Sequence, residues 1–103
     1  MFRQLILVAL YSALIYPMDS PVHFAMHIEN GLDCLARVKI NDSNNTYILN
    51  KTFEPNERVQ IDLLAQDLSI AIEYFYAGQF KYLGNIRLKR DTLPLLYHLF
   101  IGD

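Results

Sequence analysis

A short apolar run at the start of the chain constrains what the rest can become. Arg3 precedes an apolar stretch from Leu5 to Tyr16, and the polar, proline-punctuated Pro17-Met18-Asp19-Ser20-Pro21 follows. A basic start, a short greasy stretch and a polar exit form the pattern of a secretory signal, which is removed on export. The run is twelve residues long, whereas a bilayer-spanning helix needs roughly 20. We read residues 1–20 as an N-terminal signal helix and residues 21–103 as a single exported domain. Two other readings stay open. Leu5–Tyr16 is long enough for a core helix of an intracellular chain, and the lack of a clean A-x-A site leaves retention as a membrane anchor.

Without residues 1–20 the chain has 83 residues, sufficient for one small domain and no second one. Arg3 and Asp19 leave together, so the formal charge stays at −2. A nucleic-acid binder needs a basic face or stripe, and near-neutrality argues against one. It also gives no electrostatic reason for docking on anionic lipid or for membrane insertion of the mature chain. The residues are 52% hydrophobic and 13% aromatic, too apolar for disorder and well suited to a packed β domain. Small secreted domains commonly rely on disulfides, yet Cys34 is the one cysteine. It cannot close an internal bridge. A small core side chain beside Ala36, Val38 and Ile40 is one reading of Cys34, and a bridge to another chain is the other.

The hydrophobic period is two along nearly the whole chain. Val22, Phe24, Met26 and Ile28 alternate with His23, Ala25 and His27, the pattern of a half-buried strand. Asn30-Gly31 is read as a turn that tolerates positive φ. A strand from about Leu35 to Ile40 sets Arg37 and Lys39 outward, and Asn41–Asn45 is a polar loop. Thr46–Phe53 is a further strand, ended by Pro55-Asn56. Val59, Ile61 and Leu63 alternate with Arg58, Gln60 and Asp62. The longest strand runs from Leu68 to Tyr76, Ala77-Gly78-Gln79 turns the chain into Phe80–Leu83, and Gly84 breaks or bulges it before Ile86 and Leu88. Strands at this spacing, joined by short turns, predict an all-β fold, a small antiparallel β-sandwich of about seven strands. Leu93–Ile101 is too densely apolar for simple alternation. A strand covered on both faces and a short helix begun by Asp91-Thr92 both fit it.

Catalytic chemistry is sparse. His23 and His27 have the spacing that binds metal on a helix, but along a strand it separates them by roughly 13 Å. We expect solvent-face histidines, with no metal and no cofactor. No G-x-S-x-G, H-E-x-x-H or glycine-rich phosphate loop occurs. Asp62 with Asp67, and Glu54 with Glu57, are explained by turn and surface positions. The expectation is a non-enzymatic protein. Three acceptor sequons cluster at Asn41, Asn44 and Asn50, a pattern that suits glycosylation on a eukaryotic secretory route. Arg87-Leu88-Lys89-Arg90 has the spacing that furin-like processing proteases cut after, although the alternation assigns it to a strand.

Val22-His23-Phe24-Ala25-Met26-His27-Ile28-Glu29-Asn30-Gly31-Leu32, directly after a signal-like leader, resembles the opening of the plant self-incompatibility S-protein homologues, whose mature chains begin V-H-V-x-I-x-N-x-L. Glu54-Pro55-Asn56-Glu57 sits at that family's proline-glycine turn, Leu68–Tyr76 at its long aromatic strand, and Asn85–Asp91 resembles the strand that closes on K-R-D. The likeness covers roughly 22–91. The family's four cysteines and its tryptophans are missing. Ile40 stands where the first cysteine would be, Glu73 or Tyr74 at the second, and the C-terminal pair is absent. Two absent bridges forgo roughly 2–5 kcal/mol each. The resemblance implies a secreted ligand for a cell-surface receptor, with recognition carried on loops.

The residues by themselves lead to a neighbouring expectation. Tyr74, Phe75, Tyr76, Phe80 and Tyr82 flank one turn, so some of them face away from the core, either as exposed contact anchors or covered by Leu93–Ile101. The resemblance, for its part, implies partner contact through the loops that hold Asp42, Ser43, Asn44 and Asn45 and Gln79, Phe80 and Tyr82, in a secreted, extracellular monomer that meets a cell-surface protein. The alternative is a membrane-anchored or intracellular β-sandwich interaction protein.

Overall fold

The computed structural model describes residues 23–102 in full and residues 6–12 by their backbone. Eight strands follow one another: β1 (Ile6–Ser12), β2 (His23–Asn30), β3 (Ala36–Asp42), β4 (Tyr47–Phe53), β5 (Arg58–Leu64), β6 (Leu68–Tyr76), β7 (Gln79–Leu88) and β8 (Leu96–Gly102). They form two four-stranded sheets, ordered β1-β8-β2-β5 and β4-β3-β6-β7. Strands β2 to β7 lie where the alternation places them, because a strand with one wet face must send every second side chain inward.

Those inward residues build one apolar core shared by both sheets. Phe24, Met26 and Ile28 of β2 and Tyr97, Leu99 and Ile101 of β8 meet Val38 and Ile40 of β3 and Ile70 and Ile72 of β6, all nearly or completely buried. Each contributes about 1.5–3 kcal/mol relative to exposure. This aromatic and β-branched core stands in place of disulfides.

The structure corrects three local readings. Ile6–Ser12, within the expected signal segment, is an extended strand antiparallel to β8, pairing Ile6 with Gly102 through Ser12 with Leu96. A helix was expected there. An otherwise open edge of β8 offers a ready ladder to an apolar segment containing Ile6 and Val8. Residues 1–5, 13–22 and 103, and with them most of the expected signal segment, lie outside the described residues. The Asn30-Gly31 pair makes no positive-φ turn; the positive-φ residues among those described are Asn45, Asn56, Ala77 and Gly78. Asn30 is instead the buried last residue of β2. Gly31 is there for space, since a Cβ would run into the Phe100 ring and sit 2.9 Å from the Ile101 carbonyl oxygen.

The third correction concerns strand direction. Sheet pairing is antiparallel except between β2 and β8, which run parallel from Ala25↔Leu96 to Asn30↔Ile101. A 3-10 turn at Arg90–Thr92 carries the chain from the end of β7 across to the other sheet. The Arg90 N–H donates to Asp67 Oδ1 at 2.8 Å, and Thr92 Oγ1 donates to the Lys89 carbonyl at 3.0 Å. Leu93 then turns extended, with φ −72° and ψ 131°, as the residue before a proline prefers. Leu93–Ile101 is therefore no helix. Its dense apolar composition arises because Tyr97, Leu99 and Ile101 fill the core while Phe100 lies outside. Gly84 marks a bulge as expected: Ile72 pairs with Gly84 and Glu73 with Tyr82, leaving Leu83 extra. Cys34 precedes β3 in a bend, half-buried against the core.

Candidate recognition surface

The long β6–β7 hairpin closes on Ala77 and Gly78, with φ of 53° and 82°. Positive φ at both central residues gives the primed turn that suits twisted strands. Beyond the bulge, the register pairs Glu73 with Tyr82, Phe75 with Phe80, and Tyr76 with Gln79. On the other side of β6, Arg37 pairs with Glu73, and Arg37 pairs in turn with Thr52 of β4. One transverse row, Thr52–Arg37–Glu73–Tyr82, therefore crosses the outer face of this sheet, with Phe75 and Phe80 beside it.

The contacts in this patch interlock. Arg37 Nε donates to Glu73 Oε1 at 2.7 Å, and Lys39 Nζ stands 3.5 Å from the same oxygen. The Arg37 guanidinium lies 4.0 Å from the centroid of the Phe80 ring. Phe80 meets Phe75 edge-on, with centroids 5.2 Å apart. The Arg37 hydrogen bond holds the Glu73 carboxyl below the usual glutamate range, helped by the charges of Lys39 and Arg37 and opposed by partial desolvation. Two cations around one carboxylate leave the patch net positive within a chain of charge −2. Such a guanidinium is held flat by its ring and offers a fixed fork of donors to a carboxylate or carbonyl. Tyr82, at 66% exposure, and Tyr76, at 49%, border it with amphipathic surface.

The expected contact residues do not converge on one site. Phe80 and Tyr82 belong to the patch described, and Gln79 stands beside it at the hairpin tip. Asp42, Ser43, Asn44 and Asn45 lie at the opposite end of the sheet, because Asp42 pairs with Leu68 while Gln79 pairs with Tyr76. Eight residue steps along β6 put those ends roughly 26 Å apart. The far loop is built around one carboxylate. Asp42 Oδ1 accepts the N–H groups of Asn44 and Thr46, both at 2.9 Å, and Asn45 takes φ 62°. Asp42, Asp67 and Arg87 border a depression of about 310 Å³ there, but both carboxylates already accept backbone N–H groups.

The three sequons differ in access. Asn41, in β3, is half-buried, and its Oδ1 is sealed from solvent with no hydrogen-bond partner. Asn44, in the turn, and Asn50, on edge strand β4, are exposed. Asn50 pairs with Lys39, one row from Arg37. Arg87, Lys89 and Arg90 are exposed, although Arg87 and Leu88 are still strand.

Sequence reasoning missed Arg37 and Glu73. Their outward alternation was visible, but the pairing that joins them spans two strands far apart in the chain. Asn30 was missed for a different reason. It is completely buried, and its Nδ2 donates to the carbonyls of Cys34, Glu54 and Phe53 at 2.9, 3.1 and 3.3 Å, while Oδ1 accepts the Leu32 N–H at 3.0 Å. Asn30 is thus an architectural hub.

Fold and patch together define a class: a small two-sheet β domain whose interlocked cationic and aromatic side chains lie on an outer sheet face. No protein-family model matches the chain, and no curated protein or solved structure matches it either.

Proposed function

We propose that this protein is a small, secreted, non-enzymatic recognition ligand that binds a cell-surface protein through the outer face of β3, β6 and β7. The observation that carries this reading is the Arg37–Phe80–Glu73 cluster. A long, flexible arginine is held by a ring and a carboxylate before any partner arrives, which lowers the ordering cost of binding. Exposed Tyr82 and Tyr76 supply contact area with few rotatable bonds. The partner it suits is a protein surface with an acidic or carbonyl-rich spot ringed by apolar groups. The resemblance to the self-incompatibility S-protein homologues supports the same reading, with recognition moved from two loops to one hairpin and its sheet face.

The test is binding of labelled chain to intact cells, with Arg37→Ala, Phe80→Ala and Tyr82→Ala expected to abolish binding while the thermal unfolding midpoint falls only slightly. Ser43→Ala and Asn45→Gly at the far loop should leave binding intact. If the far-loop variants abolish binding and the hairpin variants do not, the assignment of the face is wrong.

A second reading has one observation in its favour, the pairing of Ile6–Ser12 with β8. A membrane-anchored or intracellular interaction protein would keep that strand, and β8 would be an inner strand. Mass spectrometry of the product from a eukaryotic host decides between them. Loss of the leader with a glycan on Asn44 or Asn50 supports the ligand, and an intact, unglycosylated Met1 species overturns it.

A further inference from the structure

On the opposite sheet, away from the proposed recognition face, β2 and β8 run parallel with His27 directly beside His98. The two ring centroids are 5.3 Å apart, with planes inclined at 65°. We propose that His27 and His98 form a binding site for a late first-row divalent ion, Zn²⁺, Cu²⁺ or Ni²⁺. An imidazole nitrogen binds such an ion at about 2.0–2.1 Å, which puts each ring centroid about 3.2 Å from the metal. Two imidazoles sharing one tetrahedral ion therefore have centroids about 5.2 Å apart. The observed spacing meets that requirement without any shift of the strands, and both side chains are half-buried, so neighbours limit their swing.

The surroundings suit an ion with an incomplete protein shell. A depression of about 260 Å³ opens at the pair, bordered also by Glu29, Leu99 and Phe100. A water takes about 30 Å³, so the ion and several waters fit. Glu29 follows His27 by two residues on the same face of β2, roughly 7 Å along the strand. Among the described residues no three histidine, cysteine or acidic side chains are already grouped to hold a metal. The ion therefore arrives on two imidazoles and waters, and rotation of Glu29 about its own side-chain bonds brings a carboxylate as third ligand. Imidazole-rich donor sets select Zn²⁺, Cu²⁺ and Ni²⁺ over Mg²⁺ and Ca²⁺. The spacing of His23 and His27 along one strand could not reveal this site, because the second imidazole comes from the far end of the chain.

Calorimetric titration of the purified chain with ZnCl₂, CuCl₂ and NiCl₂, with MgCl₂ as control, tests the site. One late-metal ion per chain is expected, with no Mg²⁺ uptake. His27→Gln and His98→Gln should each weaken binding by at least the roughly 10- to 100-fold that loss of a supporting group costs a metal site, and Glu29→Gln by less. Metal-free thermal unfolding of each variant separates lost binding from lost folding. Cys34→Ser and His23→Gln should leave affinity unchanged. The proposal is overturned if no saturable binding appears up to millimolar ion, or if the His27→Gln/His98→Gln double variant, still folded, binds as the parent does.

Discussion

Two polar networks lie toward the same end of this molecule and do opposite work. Asn30 is 0% exposed, and four hydrogen bonds from its side chain tie the β2–β3 loop to the end of β4. Its backbone adds two more, accepting from Asn56 at 2.8 Å and donating to the Glu57 carbonyl at 3.0 Å. The Arg37–Glu73–Phe80 cluster is comparably connected but partly open to water. A buried polar group must be fully satisfied or it destabilises the fold. A half-exposed one can exchange partners with solvent or with another protein at little cost. The difference teaches where to look for function in a small two-sheet domain: in the network whose members remain accessible.

Three substitutions break or sharpen that contrast. Asn30→Ala leaves three carbonyls and the Leu32 N–H without their partner, a loss of about 3 kcal/mol or more. In a domain of this size the unfolding midpoint should drop by roughly 12–24 °C, readable by thermal circular dichroism. A drop of only a few degrees would mean that water replaces Asn30 and that the hub is not structural.

At the hairpin, Ala77 holds φ 53°, a region that costs an ordinary L-residue about 1–2 kcal/mol. Ala77→Asn should therefore stabilise the chain by about 1 kcal/mol, with the same cellular binding as the parent. Stabilisation with lost binding would show that the strained turn is part of the recognition face.

The smallest effect belongs to Glu73→Gln. The Arg37 hydrogen bond depresses the Glu73 pKa in the folded state. Such a group adds stability that is present above the unfolded value, about 4.3, and is lost as pH falls through the folded value. The parent should exceed Glu73→Gln by under 1 kcal/mol at neutral pH, because the pair is 22–30% exposed. That margin should shrink below about pH 4.3. A margin constant from neutral to acid pH would assign it to packing instead of charge.

Much of the fold was legible because a strand's period is local. The outward placement of Arg37 and Lys39 and the inward set of β6 follow from single residues in alternation. The errors share one cause. Asn30-Gly31 looked like a turn because asparagine and glycine favour positive φ, yet the loop after β2 is shaped by bonds to residues more than 20 positions away. The hairpin aromatics were visible as a group, but their arginine was not, since cross-strand pairing decides which side chains become neighbours.

Alternating hydrophobicity, by itself, determined that residues 23–88 form strands, which of their faces are buried, and that Gly84 interrupts one of them. Only the tertiary structure decided that β8 lies parallel to β2, that the Asp42–Asn45 loop is far from the hairpin, and that His27 meets His98. The reason is physical. Side-chain period is written in consecutive residues, whereas strand order and register are set by a shared core that assembles from both ends of the chain at once.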